Sequence, residues 1–360
     1  MRRIRVGIIG ASAGGGWGTL AHLPALKALP QQYEVTAVST TRQESADATA
    51  RRFEVPHAFS RAEALVSHPD VDLVVVSVKA PEHERLVRLA TDAGKHVLCE
   101  WPLGTTTAQA AGLLKGAEAA GVRHVVGLQR RLAPGVRYVK DLIADGYVGR
   151  LRSVTLYGAI PMMGERRPAG HVYTADAANG ANTLTIFTAH YLDTLRAMVG
   201  GFRDVSAVVA RQFEHTTVIE TGERLPVTSP DQVLIHGTLT SGAVASVHIE
   251  SGKRSGGDIR LTFTGTEGDL VLDAGLAVSG TRGEGSALEP LPTPEKYLWL
   301  PRTGLGPEAL DIGHLYVALA RDWAEGTRLA PTFHDALALH RLLDTLVESS
   351  TTGRRLHWEG

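Results

Sequence analysis

Residues 6–18 read VGIIGASAGGGWG, an apolar run that opens into a glycine-rich turn. Backbone N–H groups in such a turn can approach a pyrophosphate, and the start of a following helix favours its negative charge. The motif is an imperfect GxGxxG. Gly10 takes its first position, Ser12 stands where the second glycine would be, Gly15 or Gly16 serves as the third, and Trp17 closes the turn. A strand before it, a helix after it and its place near the N-terminus all point to dinucleotide binding. The next strand ends AVSTTRQES. NAD-preferring sites carry a carboxylate there, on the ribose hydroxyls. Here Thr40, Thr41 and Arg42 occupy the position, and hydroxyls with a guanidinium suit a 2′-phosphate. The expected cofactor is NADP, with NAD as the alternative. Arg42 also reads as a solvated charge at a helix start.

Proton chemistry needs ionisable groups near that cofactor. VDLVVVSVKAPEH, residues 71–83, carries Ser77, Val78 and Lys79 to the carboxyl end of a strand, where ligands bind in open α/β sheets. A desolvated Lys79 would titrate lower and could act catalytically; the alternative is a solvated loop lysine. His83, in the same loop, orders a helix start. GKHVLCEWPLG brings Glu100, Trp101 and Pro102 to the end of the next strand. Trp101 offers a ring to stack on cofactor or substrate, but no proton. Gln129 ends the strand after that. Trp17, Ser77, Val78, Lys79, His83, Glu100, Trp101, Pro102 and Gln129 are the expected cofactor contacts beside the glycine turn and residues 40–42, and Arg130 reads as a cleft residue or an ion-pair partner. In the second half, His190 is the preferred acid/base, since imidazole serves either role near neutral pH. Asn182, Thr183, Thr185 and Thr188 surround it in sequence. The alternative is a satisfied structural histidine. Tyr173 and Asn182 are expected substrate contacts.

These positions need a scaffold. Strands are expected at 4–10, 34–40, 71–79, 96–100 and 124–129, with helical patterns between them. Ser60 is the expected cap of one helix, Pro81 suits a first helical position, and Gly94 and Gly121 suit helix ends. The nearly all-apolar 71–78 strand is that of a covered parallel sheet. The order predicts a Rossmann-like, doubly wound α/β domain over 1–123. After about residue 150 the runs alternate, and TLTSGAVAS and TGTEGDL read as hairpin turns. An α+β domain with an open, mostly antiparallel sheet is expected over 124–330. Long loops are expected at 161–171 and 279–308. A C-terminal helical segment, 331–360, is expected to pack back near the cofactor domain.

The 360 residues carry 37 Lys+Arg against 38 Asp+Glu, which gives direct nucleic-acid binding no support. The one cysteine, Cys99, forbids an internal disulfide and fits a cytoplasmic protein. No apolar run suits a signal peptide or a membrane span. No HExxH or paired-cysteine spacing indicates a metal site.

GKHVLCEWPL, RRLAPGVRYVKDLIADGYVGRL and AHYLDTLRAMVG resemble the glucose-fructose oxidoreductase / inositol dehydrogenase / rhizopine-catabolism (Gfo/Idh/MocA) family over nearly the whole chain. GASAGGGWGTLAHLPAL, ANGANTLTIFTAH and LPVTSPDQVLIHGTLTSG resemble its branch of fungal galactose-regulon repressors. The resemblance implies a cofactor domain followed by a sheet domain that supports substrate and forms a homodimer or homotetramer. It also implies a small sugar-like substrate. Its signature is Glu-Lys-Pro, with an Asp four residues before a His. Glu100, Pro102 and His190 match it, whereas Trp101 stands for the Lys and Ile186 for the Asp. Asp193, three residues after His190, is the expected partial substitute. The reading is an NAD(P)-dependent oxidoreductase of sugar or polyol hydroxyls or carbonyls, using His190 and Lys79. The alternative is a catalytically silent, dinucleotide-binding regulator acting through a protein partner.

Overall fold

A computed structural model describes residues 2–300 and 304–358. The chain divides into two compact units, one of 1–129 with 299–337, the other of 130–298 with 338–360.

The first unit is built on strands β1 (Ile4–Ile9), β2 (Tyr33–Ser39), β3 (His57–Phe59), β4 (Leu73–Val76), β5 (His96–Glu100) and β6 (His124–Gly127). All pair in parallel, in the order β3-β2-β1-β4-β5-β6. The order reverses between β1 and β4, so the ends of these two strands flank the ligand-binding crevice of such a sheet. Every residue of β4 is buried, as its apolar sequence requires. Helices α1 (Leu23–Lys27), α2 (Gln43–Phe53), α3 (Ala62–Val66), α4 (His83–Asp92) and α5 (Thr107–Ala119) connect the strands. Arg61, not Ser60, precedes α3, and it makes no side-chain cap. Pro81 is the second residue of a short 3-10 turn, Ala80–Glu82, before α4.

Two boundaries differ from the sequence reading. Residues 124–129 stay with the first unit because β6 completes its sheet. Helix α8 (Pro307–Glu325), expected in the second domain, also belongs to the first unit, where it packs on α1 and on the turn before it. Its Ile312, Leu315, Tyr316 and Leu319 are buried on one side.

In the second unit α6 (Pro134–Ala144) and α7 (Ala189–Val199) pack together and beside an open nine-stranded sheet. Its strands are β7 (Ser153–Ile160), β9 (Phe202–Ala210), β12 (Gln232–Leu239), β13 (Val244–Ser251), β14 (Asp258–Thr264), β15 (Gly268–Asp273), β16 (Val278–Arg282), β17 (Glu289–Pro290) and β18 (Leu356–His357). The order is β17-β16-β15-β14-β7-β13-β12-β9-β18, antiparallel except for β7 with β13. Both expected hairpins are present, β12–β13 and β14–β15. A small sheet joins β8 (Arg166–Arg167), β10 (His215–Val218) and β11 (Arg224–Pro226). The expected loop 279–308 contains most of β16, all of β17 and a short turn; its residues 301–303 lie outside the described residues.

Helix α9 (Phe333–Thr352) follows. Of the segment 331–360, expected near the cofactor domain, the residues up to 337 belong to the first unit, where the Phe333 N–H donates to His124, and 338–360 belong to the second. Ser349 and Ser350 accept the N–H groups of Ala207 and Val209, and β18 adds to the sheet edge. These pairings with β9 are long-range, and no local pattern encodes them.

Candidate functional site

In the first unit the glycine turn leaves β1 at Gly10, whose φ is +102°. A Cβ there would lie 2.1 Å from the Ser77 carbonyl oxygen, so both conformation and space demand glycine. Gly15 and Gly16 also have positive φ, but a Cβ on either would meet open space. The close strand-to-turn approach usually made by a third glycine falls instead to Gly18, where a Cβ would come within 3.0 Å of the Ala11 Cα. The turn is tied down from α2. Thr49 donates to the Ala11 carbonyl, Arg52 to that of Ala13, and Ser45 pairs with Ser12 through their hydroxyls at 3.0 Å. Sequence reasoning passed over these three, because their value lies in reach rather than in any motif.

Beyond β2, Thr40 is half-buried, and Thr41 and Arg42 are exposed where α2 begins. The Thr40 hydroxyl donates to the Arg42 carbonyl. Ser77 and Gln129, at the ends of β4 and β6, are buried. The Ser77 Oγ, the Gln129 Oε1 and the Trp17 Nε1 are buried polar atoms without a hydrogen-bond partner among the described residues. Orphans of this kind are rare in folded proteins and mark places where a ligand or water completes the bonding. All three stand on residues nominated above for cofactor contact. The donor set therefore fits a dinucleotide: the glycine turn for its pyrophosphate, Trp17, Ser77 and Gln129 for its polar groups.

Other nominated residues have different surroundings. His83 is buried, with Nδ1 2.7 Å from the Pro102 carbonyl and Nε2 3.0 Å from that of Val78. Burial pulls its pKa down while both carbonyls oppose this. It braces two loops, and neither ring nitrogen is left for a ligand. Lys79 is exposed in the segment after β4. Trp101 is buried between Glu100 and Pro102 and belongs to the packed wall of the strand end.

Glu100 has a network the sequence did not announce. His22, fully buried, places Nε2 2.9 Å from the Glu100 carboxylate and Nδ1 2.8 Å from the Tyr316 hydroxyl. Burial pushes the Tyr316 phenol well above its usual range, so it stays protonated. Gly127 makes room for the Glu100 carboxylate: a Cβ there would lie 2.7 Å from it. His57, His68 and Asp70 form the one possible metal-ligand group among the described residues, within 4.8 Å of one another. Arg5 pairs with Asp70 at 2.6 Å, and His68 accepts the Asp70 N–H, so the group is bonded within itself.

In the second unit a π-helical turn, Thr183–Thr188, runs into α7 and presents His190. Such turns are uncommon and are found frequently at functional sites. Their wider spacing breaks the four-residue alignment that placed Ile186 under His190. The Asn182 Oδ1 accepts the N–H groups of Leu184 and Thr185 and so caps the turn. Asp193 is buried in a two-point ion pair with Arg131 and is therefore not the expected companion of His190. Burial pushes His190 down to about 4, and the nearby positive charge of Arg130 adds to this. At neutral pH His190 is a neutral base. Tyr173, half-buried, lies in a 3-10 segment over 169–175, and burial raises its phenol pKa.

A cofactor domain of this architecture, with a second domain of open sheet, defines a class also evident in known sequences. Residues 4–128 match the oxidoreductase family with an NAD-binding Rossmann fold, and residues 134–274 match the C-terminal domain of Gal80p. The chain is 30% identical to the dehydrogenase aclE of Aspergillus oryzae, with 98% of each chain covered. It belongs to the Gfo/Idh/MocA oxidoreductase family. It is also 28% identical to the galactose/lactose metabolism regulatory protein of Saccharomyces cerevisiae, over 98% of this chain and 94% of that one. The crystal structure of a super-repressor mutant of that regulator superposes with a TM-score of 0.89 at 26% identity, covering 99% and 98% of the two chains. Levoglucosan dehydrogenase of Pseudarthrobacter phenanthrenivorans is 25% identical over 97% of each chain.

Proposed function

We propose that the protein is an NAD(P)-dependent dehydrogenase of a sugar-like hydroxyl or its carbonyl counterpart, with His190 as the acid/base. The observation that carries cofactor use is the set of three orphaned polar atoms, on Trp17, Ser77 and Gln129, in a domain whose glycine turn is shaped for a pyrophosphate. The likeness to two dehydrogenases along nearly the full chain supports redox use. Bound in oxidised form, the dinucleotide supplies the hydride acceptor. His190, neutral at pH 7, accepts the hydroxyl proton of an alcohol substrate. Tyr173 is proposed to contact the substrate, and Trp101 to close the wall beside the reacting carbon. NADP is the proposed cofactor, because positions 40–42 after β2 hold no carboxylate and Arg42 takes the N-cap position of α2 beside Thr40 and Thr41. A second copy is proposed to dock on the open sheet face, where Tyr157, His248, Leu234 and Val208 form one row across four strands.

Incubating the protein with NADP+ or NAD+ and a panel of polyols and sugars tests this reading, by following the reduced cofactor. Turnover with at least one compound is expected, abolished in His190→Ala while dinucleotide affinity is kept. Arg42→Ala is expected to weaken NADPH binding about tenfold and to leave NADH unchanged. The second reading is a regulator that binds dinucleotide without turnover. The likeness to the yeast regulatory protein, including the match over 134–274, favours it. Tight cofactor binding with no turnover across the panel would select it.

A further inference from the structure

Arg130 is half-buried, and its Nη1 is buried without a hydrogen-bond partner. No ion pair of Arg130 occurs among the described residues. Its guanidinium carbon lies 5.2 Å from the centre of the Tyr191 ring, the residue next to His190. The adjacent Arg131 shows the contrast, since its fork is filled by Asp193. A cation drawn out of water without a counter-charge is costly, and such a group is retained where a ligand supplies the missing charge. The positive charge of Arg130 also acts on the His190 imidazole, so the two groups are close.

We infer that Arg130 is a catalytic residue whose guanidinium binds the reacting oxygen of the substrate, supplying the cation that Trp101 displaced from the family position. This rests on the dehydrogenase reading above. When the alcohol is oxidised, the O–H bond breaks and its proton passes to a ring nitrogen of His190. The C–H bond breaks with its electron pair, which leaves as hydride to the oxidised dinucleotide, and the C=O bond forms. Negative charge gathers on the oxygen on the way. A fixed guanidinium stabilises that charge and, being always protonated, neither gives nor takes a proton. A lysine in the usual position could do both. This site divides the work, with charge from Arg130 and proton transfer by His190.

The test is steady-state kinetics on the best alcohol found in the panel, with Arg130→Met, Arg130→Gln and Arg130→Lys. Arg130→Met is expected to lower kcat about 100-fold or more, with KM within about threefold and dinucleotide affinity unchanged. Arg130→Gln, which keeps hydrogen bonds without charge, should fall nearly as far. Arg130→Lys should recover part of the loss. Unchanged dinucleotide affinity shows that each variant is folded. A rise in KM alone, or wild-type kinetics in Arg130→Met, overturns the inference while leaving the dehydrogenase reading intact. A wild-type protein that turns over nothing overturns both.

Discussion

His190 was the preferred acid/base and Lys79 the second candidate, and their surroundings separate them further. Burial and the charge of Arg130 hold His190 neutral with a pKa near 4. Lys79 stands in solvent. For alcohol oxidation the base must be unprotonated, so kcat/KM should be level from about pH 5 upward and fall below it, as protonation of His190 removes the acceptor. A pH–rate profile checks this, and an acid limb near the ordinary histidine value of about 6.5 would contradict it. Lys79→Met should retain most of the activity, and His190→Ala should lose about 100-fold or more. Residue type made His190 legible, and the family resemblance the altered signature around Trp101. They could not show that Asp193 is already taken by Arg131, because that pair joins positions 62 apart in the chain.

At the scale of elements, five of the six parallel strands and both hairpins were readable because hydrophobic period and turn residues are local signals, whereas the three-residue β3 is too short to show a period. The placement of α8 was not, since an amphipathic helix does not declare which sheet it covers. Yet α8 completes the cofactor domain's polar core. Tyr316 from α8 reaches His22 in the turn after the glycine loop, and His22 reaches Glu100 at the end of β5. Tyr33 at the start of β2 donates to the Tyr316 carbonyl and packs edge-on against its ring. Three distant stretches of chain thus fix one carboxylate. His22→Leu removes the partner of Glu100 and should cost about 3 kcal/mol in urea denaturation. Tyr316→Phe leaves the His22–Glu100 contact and should cost about 1 kcal/mol. Equal losses in the two variants would mean that Glu100 gains nothing specific from the imidazole.

For the whole molecule, histidine burial sets the response to acid. His83, His96, His124, His190 and His340 all have pKa values below the ordinary histidine value, with burial the first cause in each. They are spread over both units, so no single site explains the pattern. His190 and His340, both in the second unit, are each pushed to about 4. Between about pH 6.5 and 4 the unfolded chain binds a proton at each of these two positions that the folded chain refuses. Stability therefore rises with pH through that window and is lost as pH falls from 6.5 toward 4. Going from pH 7.5 to 5, each of the two should cost about 2 kcal/mol. Urea denaturation of wild type at the two pH values should show the second unit weakening by roughly the sum, since the two groups titrate independently when far apart. His340→Gln, which cannot take up the proton, should lose about half of that pH dependence whatever its stability at pH 7.5. A variant that keeps the full loss, or a wild type equally stable at both pH values, would show that these rings are protonated in the folded protein at pH 5.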